Sequence, residues 1–236
     1  MEGFKYIDIF STKGFEYVLV IFFLILMYFF LRWMNTPVHE AALAGSKKRI
    51  RLIDWFYLDD SYFYHQGHTW VKPEEGDIVK IGIDDFARKL VGTEVRWNLP
   101  EKGQYLQQGS KAWSAEIDGK SLSFLAPVSG EVMQVNEKVN KPDEFRQTDP
   151  YENGWFMLIR VPSLSTHLKN LLTGKIAYTW LQHTVDKLNQ LLSPDMVPVL
   201  ADGGQIKDCF LREIAPRNWH VMAEEFLLSK ELAHNE

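Results

Sequence analysis

KAWSAEIDGKSLSFLAPVSGEV is the sequence of residues 111–132, and its order of apolar and polar residues predicts β-structure. Two segments with alternating character, 111–117 and 121–125, flank the pair Asp118-Gly119. An Asp-Gly pair between alternating segments is typical of a two-residue hairpin turn, because both turn positions need positive φ. The stretch therefore predicts a β-hairpin with Asp118 and Gly119 at its tip.

Short alternating segments separated by turn residues continue on both sides of this hairpin, from residue 70 to residue 161. One short helix interrupts them over 84–91, with Asp84 as its N-cap and Gly92 at its end. Strands this short and evenly spaced predict a small β-sandwich or barrel. After Pro162 the apolar residues recur at helical spacing, which predicts a helical extension.

The N-terminal region contains an unbroken apolar and aromatic run, YVLVIFFLILMYFFL, at residues 17–31. Trp33 and Met34 extend it past Arg32, and a helix needs about 20 residues to cross a bilayer. The start of the chain, MEGFKYIDIF, lacks the positive charge of a signal peptide, and no small-residue cleavage site follows directly. The run therefore predicts a retained single-pass transmembrane helix rather than a signal peptide or a buried helix.

The distribution of basic residues predicts the orientation of this helix. Five basic residues follow the run and two precede it: Arg32, Lys47, Lys48, Arg49 and Arg51 against Lys5 and Lys13. Because basic flanks stay in the cytoplasm, the large C-terminal part is expected there, at the cell membrane. The single cysteine, Cys209, suits a reducing compartment and excludes an intramolecular disulfide.

The composition excludes some partners. The chain is 46% hydrophobic and 24% charged, as for an ordinary folded protein, and its net charge is −5 without a basic stripe. No nucleic acid partner is expected. His65 and His68 have metal-ligand spacing only on a helix and lack an acidic or cysteine partner at such spacing, so no metal is expected. The carboxylate pairs Asp59-Asp60 and Asp84-Asp85 are interpreted as solvated residues at turn and cap positions.

These patterns divide the chain into five regions. We predict a short lead-in over 1–16, the transmembrane helix over 17–34, a linker over 35–52, a folded β domain over 53–163 and a helical extension over 164–236.

Five segments in order resemble the glycine cleavage system H protein family. They are Tyr64-x-x-x-His68-x-Trp70, Val79-x-Ile81-Gly82-Ile83-x-Asp85-x-Ala87, Leu90-Val91-Gly92 with Leu99-Pro100-x-x-Gly103, Ala126-Pro127-Val128-Ser129-Gly130-Glu131-Val132 with Val135-Asn136-Glu137, and Asp149-Pro150-Tyr151-x-x-Gly154-Trp155. No segment is specific alone, but five in register are. The resemblance implies a mainly β, lipoyl-domain-like fold (a barrel-sandwich hybrid) with flanking helices, and a carrier rather than an enzyme.

The resemblance also implies where a lipoyl group would be attached. The family carries lipoate on a lysine that follows Glu-Ser-Val, eight residues before the proline of the Pro-Val-Ser-Gly turn. In this chain Glu116 matches the glutamate, Gly119 occupies the lysine position, and Lys120 lies one place later. A shift of one residue in a strand turns a side chain to the opposite face, so Gly119 predicts the loss of the arm.

Two functions remain open on the sequence. The first is a membrane-anchored adaptor or structural subunit without a lipoyl arm, which docks onto a membrane protein complex. The alternative is a carrier with lipoate on Lys120 in glycine cleavage or a related dithiol-dependent system. We expect the adaptor, without a cofactor, because Gly119 replaces the lysine and an anchor does not suit freely diffusing partners.

Overall fold

The computed structural model describes residues 9–34, 50–146, 148–191, 201–202, 205–206 and 208–230. The chain divides into two compact units, Met1–Val38 and His39–Glu236. Most of the predicted linker, residues 35–49, lies outside the described residues.

The first unit contains one helix, α1 (Ile9–Met34), of 26 residues. The large side chains from Tyr17 to Leu31 are all exposed, with between 41% and 66% of their surface accessible. In α1 the described side chains are those of Gly14 and residues 16–32. Among the residues that the structure describes, no helix is long and apolar enough to cross a bilayer. The predicted transmembrane segment is therefore not established by the structure.

The second unit begins with strands and ends with helices. Its strands are β1 (Ile50–Ile53), β2 (Phe56–Asp59), β3 (Phe63–His65), β4 (Thr69–Pro73), β5 (Ile78–Ile83), β6 (Arg96–Asn98), β7 (Tyr105–Leu106), β8 (Lys111–Ile117), β9 (Lys120–Leu125), β10 (Gly130–Val135), β11 (Trp155–Arg160), β12 (Ala201–Asp202) and β13 (Gln205–Ile206). Its helices are α2 (Asp85–Val91), α3 (Pro142–Arg146), α4 (Leu164–Leu168), α5 (Gly174–Leu191), α6 (Phe210–Ile214) and α7 (Trp219–Phe226), with a 3-10 turn at Glu137–Asn140.

Two antiparallel sheets form the β body. The larger sheet has the strand order β3-β4-β5-β11-β10-β7, and the smaller one has the order β6-β8-β9. Aromatic rings from both sheets meet between them: Trp97 of β6 lies 4.6 Å from Phe156 of β11 and 5.5 Å from Phe124 of β9, centroid to centroid. Because these rings are buried, they form the core of a sandwich. The predicted mainly β, lipoyl-domain-like class with flanking helices is confirmed.

The predicted helix cap is also confirmed. The Asp84 side chain accepts a hydrogen bond from Ala87 N at 2.8 Å, and Gly92 ends α2. Among the tryptophans of the family motifs, Trp70 is fully buried, and Trp155 at the start of β11 is partly buried. Trp155 also lines the open cleft beside this end of β11.

The last helices pack on the β body. Phe226 of α7 lies 5.3 Å from Phe86 of α2, and Trp219, Ala223 and Phe226 are buried. Helix α7 therefore packs on the rest of the domain, with contacts to β9 as well as to α2. Before α6 the segment also contains the short hairpin of β12 and β13, so the described extension is not helical throughout.

Candidate functional site

The hairpin of β8 and β9 is the element on which the family carries its lysine. Ile117 and Lys120 are the last cross-strand pair, so only Asp118 and Gly119 form the turn. Both have positive φ, 48° and 72°, which defines a turn of the type I′ class. The predicted hairpin and its two tip residues are confirmed.

The Gly119 position is open to solvent. A Cβ placed there would meet no atom within 4 Å, so steric crowding does not exclude a side chain. The residue preference comes instead from the backbone, since φ of 72° favours glycine over any residue with a Cβ. Gly119, which the sequence predicts at the family's lysine position, thus lies at an exposed turn and carries no side chain.

Lys120 stands beside the tip, on the first position of β9, and its side chain is exposed. It pairs with Ile117, which is only 2% exposed. Because side chains alternate along a strand, Lys120 shares its face with the buried Leu122 and Phe124. The side chain of Lys120 therefore leaves the hairpin on the face that is buried farther along β9, and not at the tip itself.

The other tip residue, Asp118, is held by the C-terminal extension. Its carboxylate Oδ2 lies 3.1 Å from Arg212 Nη1 of α6. The Arg212 guanidinium also lies 5.6 Å from the centre of the Trp219 ring. No pattern in the sequence pointed to Arg212, because 94 positions separate it from Asp118 and no motif joins them.

The hairpin tip is not part of the broad cleft of the domain. A broad cleft of about 1200 Å³ opens elsewhere, between β6, residues 99–102 and β10, and its lining includes none of the tip residues. The candidate site is thus a projecting turn, which suits a group presented to a partner better than a substrate enclosed in a pocket.

The histidine pair of the sequence has a structural role. His68 is buried, and its Nδ1 donates to Asp84 Oδ2 at 2.7 Å, while its ring stacks on Phe86 at 4.4 Å. His65 Nδ1 accepts from Gly67 N at 3.0 Å. Burial, with a smaller contribution from His68, lowers the pKa of His65. Over the residues that the structure describes, no group of three potential metal ligands occurs.

The paired carboxylates also act locally. Asp59 accepts from Ser61 N at 3.0 Å, which is a turn contact. Asp85 accepts from Tyr57 N at 2.9 Å and from Lys89 Nζ at 2.8 Å. Burial raises the pKa of Asp85 even though Lys89 opposes the shift. Asp59 lies at a turn and Asp84 at a helix cap as predicted, but the expectation that these carboxylates are solvated is wrong, because Asp59, Asp84 and Asp85 are buried.

The comparisons with known proteins assign the family. The model of the family described as "Glycine cleavage H-protein" matches residues 62–184, about half of the chain. The glycine cleavage system H protein of Bacillus licheniformis is 37% identical over 111 residues, which cover 47% of this chain and 86% of that protein. The probable glycine cleavage system H protein 2 of Sulfolobus acidocaldarius is 32% identical over 139 residues, which cover 58% of this chain and 88% of that protein. This chain belongs to the glycine cleavage H-protein family.

A solved structure shows a weaker likeness. The H protein of Mycobacterium marinum is 25% identical and aligns with 50% of this chain and 94% of its own, with a TM-score of 0.41. The family assignment rests on the sequence relatives.

The class of the domain follows from the family. It is a domain of the lipoyl-carrier type, and like the H proteins it is not an enzyme. These relatives agree better with the carrier alternative than with the membrane adaptor that we expected from the sequence, because all of them bear the H-protein name. H proteins carry lipoate on a lysine, so the expected absence of a cofactor is not confirmed.

Proposed function

We propose that this chain is an H-protein-like domain that acts by binding a partner and does not carry a lipoyl arm. The observation that supports this proposal most is Gly119 at the tip of the hairpin, where the family pattern has its lysine. A swinging arm needs a long side chain at an exposed turn, and Gly119 provides none. An enzyme that attaches lipoate reads the position of a lysine relative to the turn, so a lysine elsewhere is a poor substitute.

Lys120 is the only lysine next to the tip, and its position argues against an arm. Its backbone pairs with Ile117, directly below the turn. Its side chain lies on the same face of β9 as Leu122, which is buried in the core. An arm attached there would leave the hairpin at its side rather than from its tip.

The second candidate is a carrier with lipoate on Lys120, in glycine cleavage or a related dithiol-dependent reaction. Membership of the H-protein family favours it, and Lys120 is exposed and directly follows Gly119. Lipoate on Lys120 would supply a dithiol able to accept and pass on a small group, while the chain would only hold and present it.

Intact mass of the full chain, purified from cells that can attach lipoate, separates the two candidates. The binding proposal expects an unmodified chain. The matched variants are Lys120→Ala and Lys111→Ala, since Lys111 is an exposed lysine at the other end of β8. If the parent and Lys111→Ala both carry one lipoyl group and Lys120→Ala carries none, the carrier is right and the binding proposal is wrong.

We also propose that α1 attaches the domain to the cell membrane, with the C-terminal unit on the cytoplasmic side. The support is the row of exposed apolar side chains from Tyr17 to Leu31. A helix that is apolar on every face is stable only when it is covered, by protein or by lipid. A membrane address would concentrate the domain near a membrane-bound protein complex, which is the partner that we propose.

Flotation and protease protection test the anchor. The full chain should float with vesicles after alkaline washing, whereas a variant with Ile21, Leu24 and Phe29 changed to Lys should not. Protease added outside intact cells should leave residues 53–230 uncut. Recovery of the parent chain in the aqueous fraction contradicts the anchor, and cleavage of these residues from outside contradicts the orientation.

A further inference from the structure

The broad cleft of the β body is a second surface, separate from the hairpin tip. It has a volume of about 1200 Å³ and lies between β6, the loop 99–102, the end of β10 and the 3-10 turn at Glu137–Asn140. Drug-sized ligands occupy cavities of about 300–1,000 Å³. The size of the cleft therefore suits a segment of polypeptide better than a small enclosed molecule.

The lining of the cleft is positively charged, although the chain as a whole has a net charge of −5. Four basic residues against two acidic ones give the lining a net charge of +2: Arg96, Lys102, Lys138 and Lys141 against Glu101 and Glu137. Lys141 pairs with Glu144 at 3.0 Å. In the part of the chain that the structure describes, Lys102 and Lys138 form no ion pair, so both ammonium groups are available to a carboxylate from outside.

One aromatic side chain in the lining is also available. Trp155 is partly buried, and its indole has neither an aromatic neighbour nor a hydrogen-bond acceptor within the described ranges. Leu99 and Met133 line the cleft as well and add apolar surface. Because tryptophan is one of the residues that dominate binding energy in protein interfaces, Trp155 offers an anchor for an apolar side chain.

Two asparagines hold the walls of the cleft in place. Asn140 Oδ1 accepts from Trp97 N at 2.8 Å and its Nδ2 donates to Trp97 O at 3.0 Å, which ties the 3-10 turn to β6. Asn136 Nδ2 donates to Trp155 O at 2.7 Å, which ties the end of β10 to the start of β11. The lining is therefore ordered before anything binds, and less entropy is lost on binding.

The two carboxylates of the lining distinguish between anionic partners. Nucleic acid carries a phosphate at every nucleotide, so Glu101 and Glu137 would repel a strand laid along the cleft. A polypeptide can place carboxylates at Lys102 and Lys138 and uncharged side chains at the two glutamates. Mixed charge beside Trp155 therefore fits an acidic peptide that also carries apolar residues.

We propose that this cleft binds an acidic segment of a partner protein, with carboxylates of the segment on Lys102 and Lys138 and an apolar side chain against Trp155. The inference rests on the proposed function, because it names the chemistry of the partner that a binding domain without a lipoyl arm would take.

Fluorescence anisotropy with the full chain in non-ionic detergent tests the proposal. The probe is a labelled peptide of glutamates interspersed with serines and leucines, and its reference has glutamine in place of every glutamate. The parent chain should bind the glutamate peptide about 10-fold more tightly than the glutamine peptide. Binding of the glutamate peptide should weaken as the salt concentration rises, because the contacting charges are exposed.

Charge reversal in the cleft supplies the decisive variant. Lys102→Glu and Lys138→Glu together should weaken binding of the glutamate peptide about 10-fold, because two attractions become repulsions. The matched control combines Lys111→Glu with Lys169→Glu, two exposed lysines outside the cleft whose reversal changes the net charge equally. The control should bind the peptide as the parent does.

Removal of the aromatic anchor is a second, independent variant. Trp155→Ala should weaken binding about 10-fold while the salt dependence stays as in the parent, because no charge is lost. Unchanged binding in a folded Trp155→Ala chain contradicts the proposal, and the lysine variants decide it even where Trp155→Ala does not fold.

Three further results overturn the proposal. The first is equal affinity for the glutamate and glutamine peptides. The second is an equal loss in the two lysine double variants, which would show that only overall charge matters. The third is binding of a labelled oligothymidylate as tight as that of the glutamate peptide, which would make nucleic acid the occupant. Peptide binding does not depend on lipoate, so a lipoyl group on Lys120 would refute the proposed function separately.

Discussion

Replacing Gly119 with lysine should restore a lipoyl acceptor at the hairpin tip. The structural cost is small, because a Cβ at Gly119 meets no atom within 4 Å and only the φ of 72° is unfavourable. A residue with a Cβ in this region costs about 1–2 kcal/mol, against a total stability on the order of 5–15 kcal/mol. Gly119→Lys should therefore fold and lose about 1–2 kcal/mol in the free energy of unfolding.

The assay incubates the purified full chain with a lipoate–protein ligase, lipoic acid and ATP, and measures the intact mass. Gly119→Lys should gain one lipoyl group, whereas the parent chain should gain none. Gly76→Lys is the matched control: Gly76 has φ of 66°, is exposed, and a Cβ there also meets no atom within 4 Å. Gly76→Lys introduces the same backbone strain and the same side-chain amine at a position away from the hairpin.

Three results would refute the reasoning. Lipoylation of the parent at Lys120 would show that a lysine beside the turn suffices. Equal modification of Gly119→Lys and Gly76→Lys would show that the hairpin geometry is not recognised. A well-folded Gly119→Lys chain that accepts no lipoate would show that this tip no longer has the form that the attaching enzyme recognises.

Further variants test the groups around α2. Asp84→Ala should lower the free energy of unfolding by about 2–4 kcal/mol in urea unfolding, because it removes the helix cap and leaves the buried His68 Nδ1 without its acceptor; a loss below about 1 kcal/mol would contradict this role. Cys209 should react slowly with iodoacetamide at pH 7 in the folded chain, because burial raises the pKa of its thiol, and reaction as fast as in urea would contradict that. Burial raises the folded-state pKa of Asp85 above its unfolded value of about 3.9, so the folded state holds that proton more tightly. The parent should therefore lose stability relative to Asp85→Asn as the pH rises from about 4 through the folded pKa, and a pH-independent difference between the two would contradict the shift.

Local patterns predicted the hairpin and the helix cap well, because short-range physics determines both. Asp118 and Gly119 adopt positive φ in any two-residue turn of this class, whatever surrounds them. Asp84 caps α2 through a backbone N–H only three residues away.

The tip contact with the extension had no local signal. Arg212 lies in a five-residue helix, and its partner Asp118 belongs to a turn that is complete without it. Cys209 is half-buried, and its backbone and sulfur are both bonded to the end of α2. Contacts of this kind depend on how distant segments pack, which composition and periodicity do not encode.

The sequence alone determined the family and predicted a glycine at the lysine position, because both depend on the order of residues along the chain. Five motifs in register define the H-protein family, and counting back from Pro127 places Gly119 at the lysine position. Only the tertiary structure decided which face Lys120 occupies and that Arg212 holds the tip. The physical reason is that packing of the two sheets decides which face of a strand is buried. Packing of the C-terminal helices likewise decides which distant residues come close enough to form an ion pair.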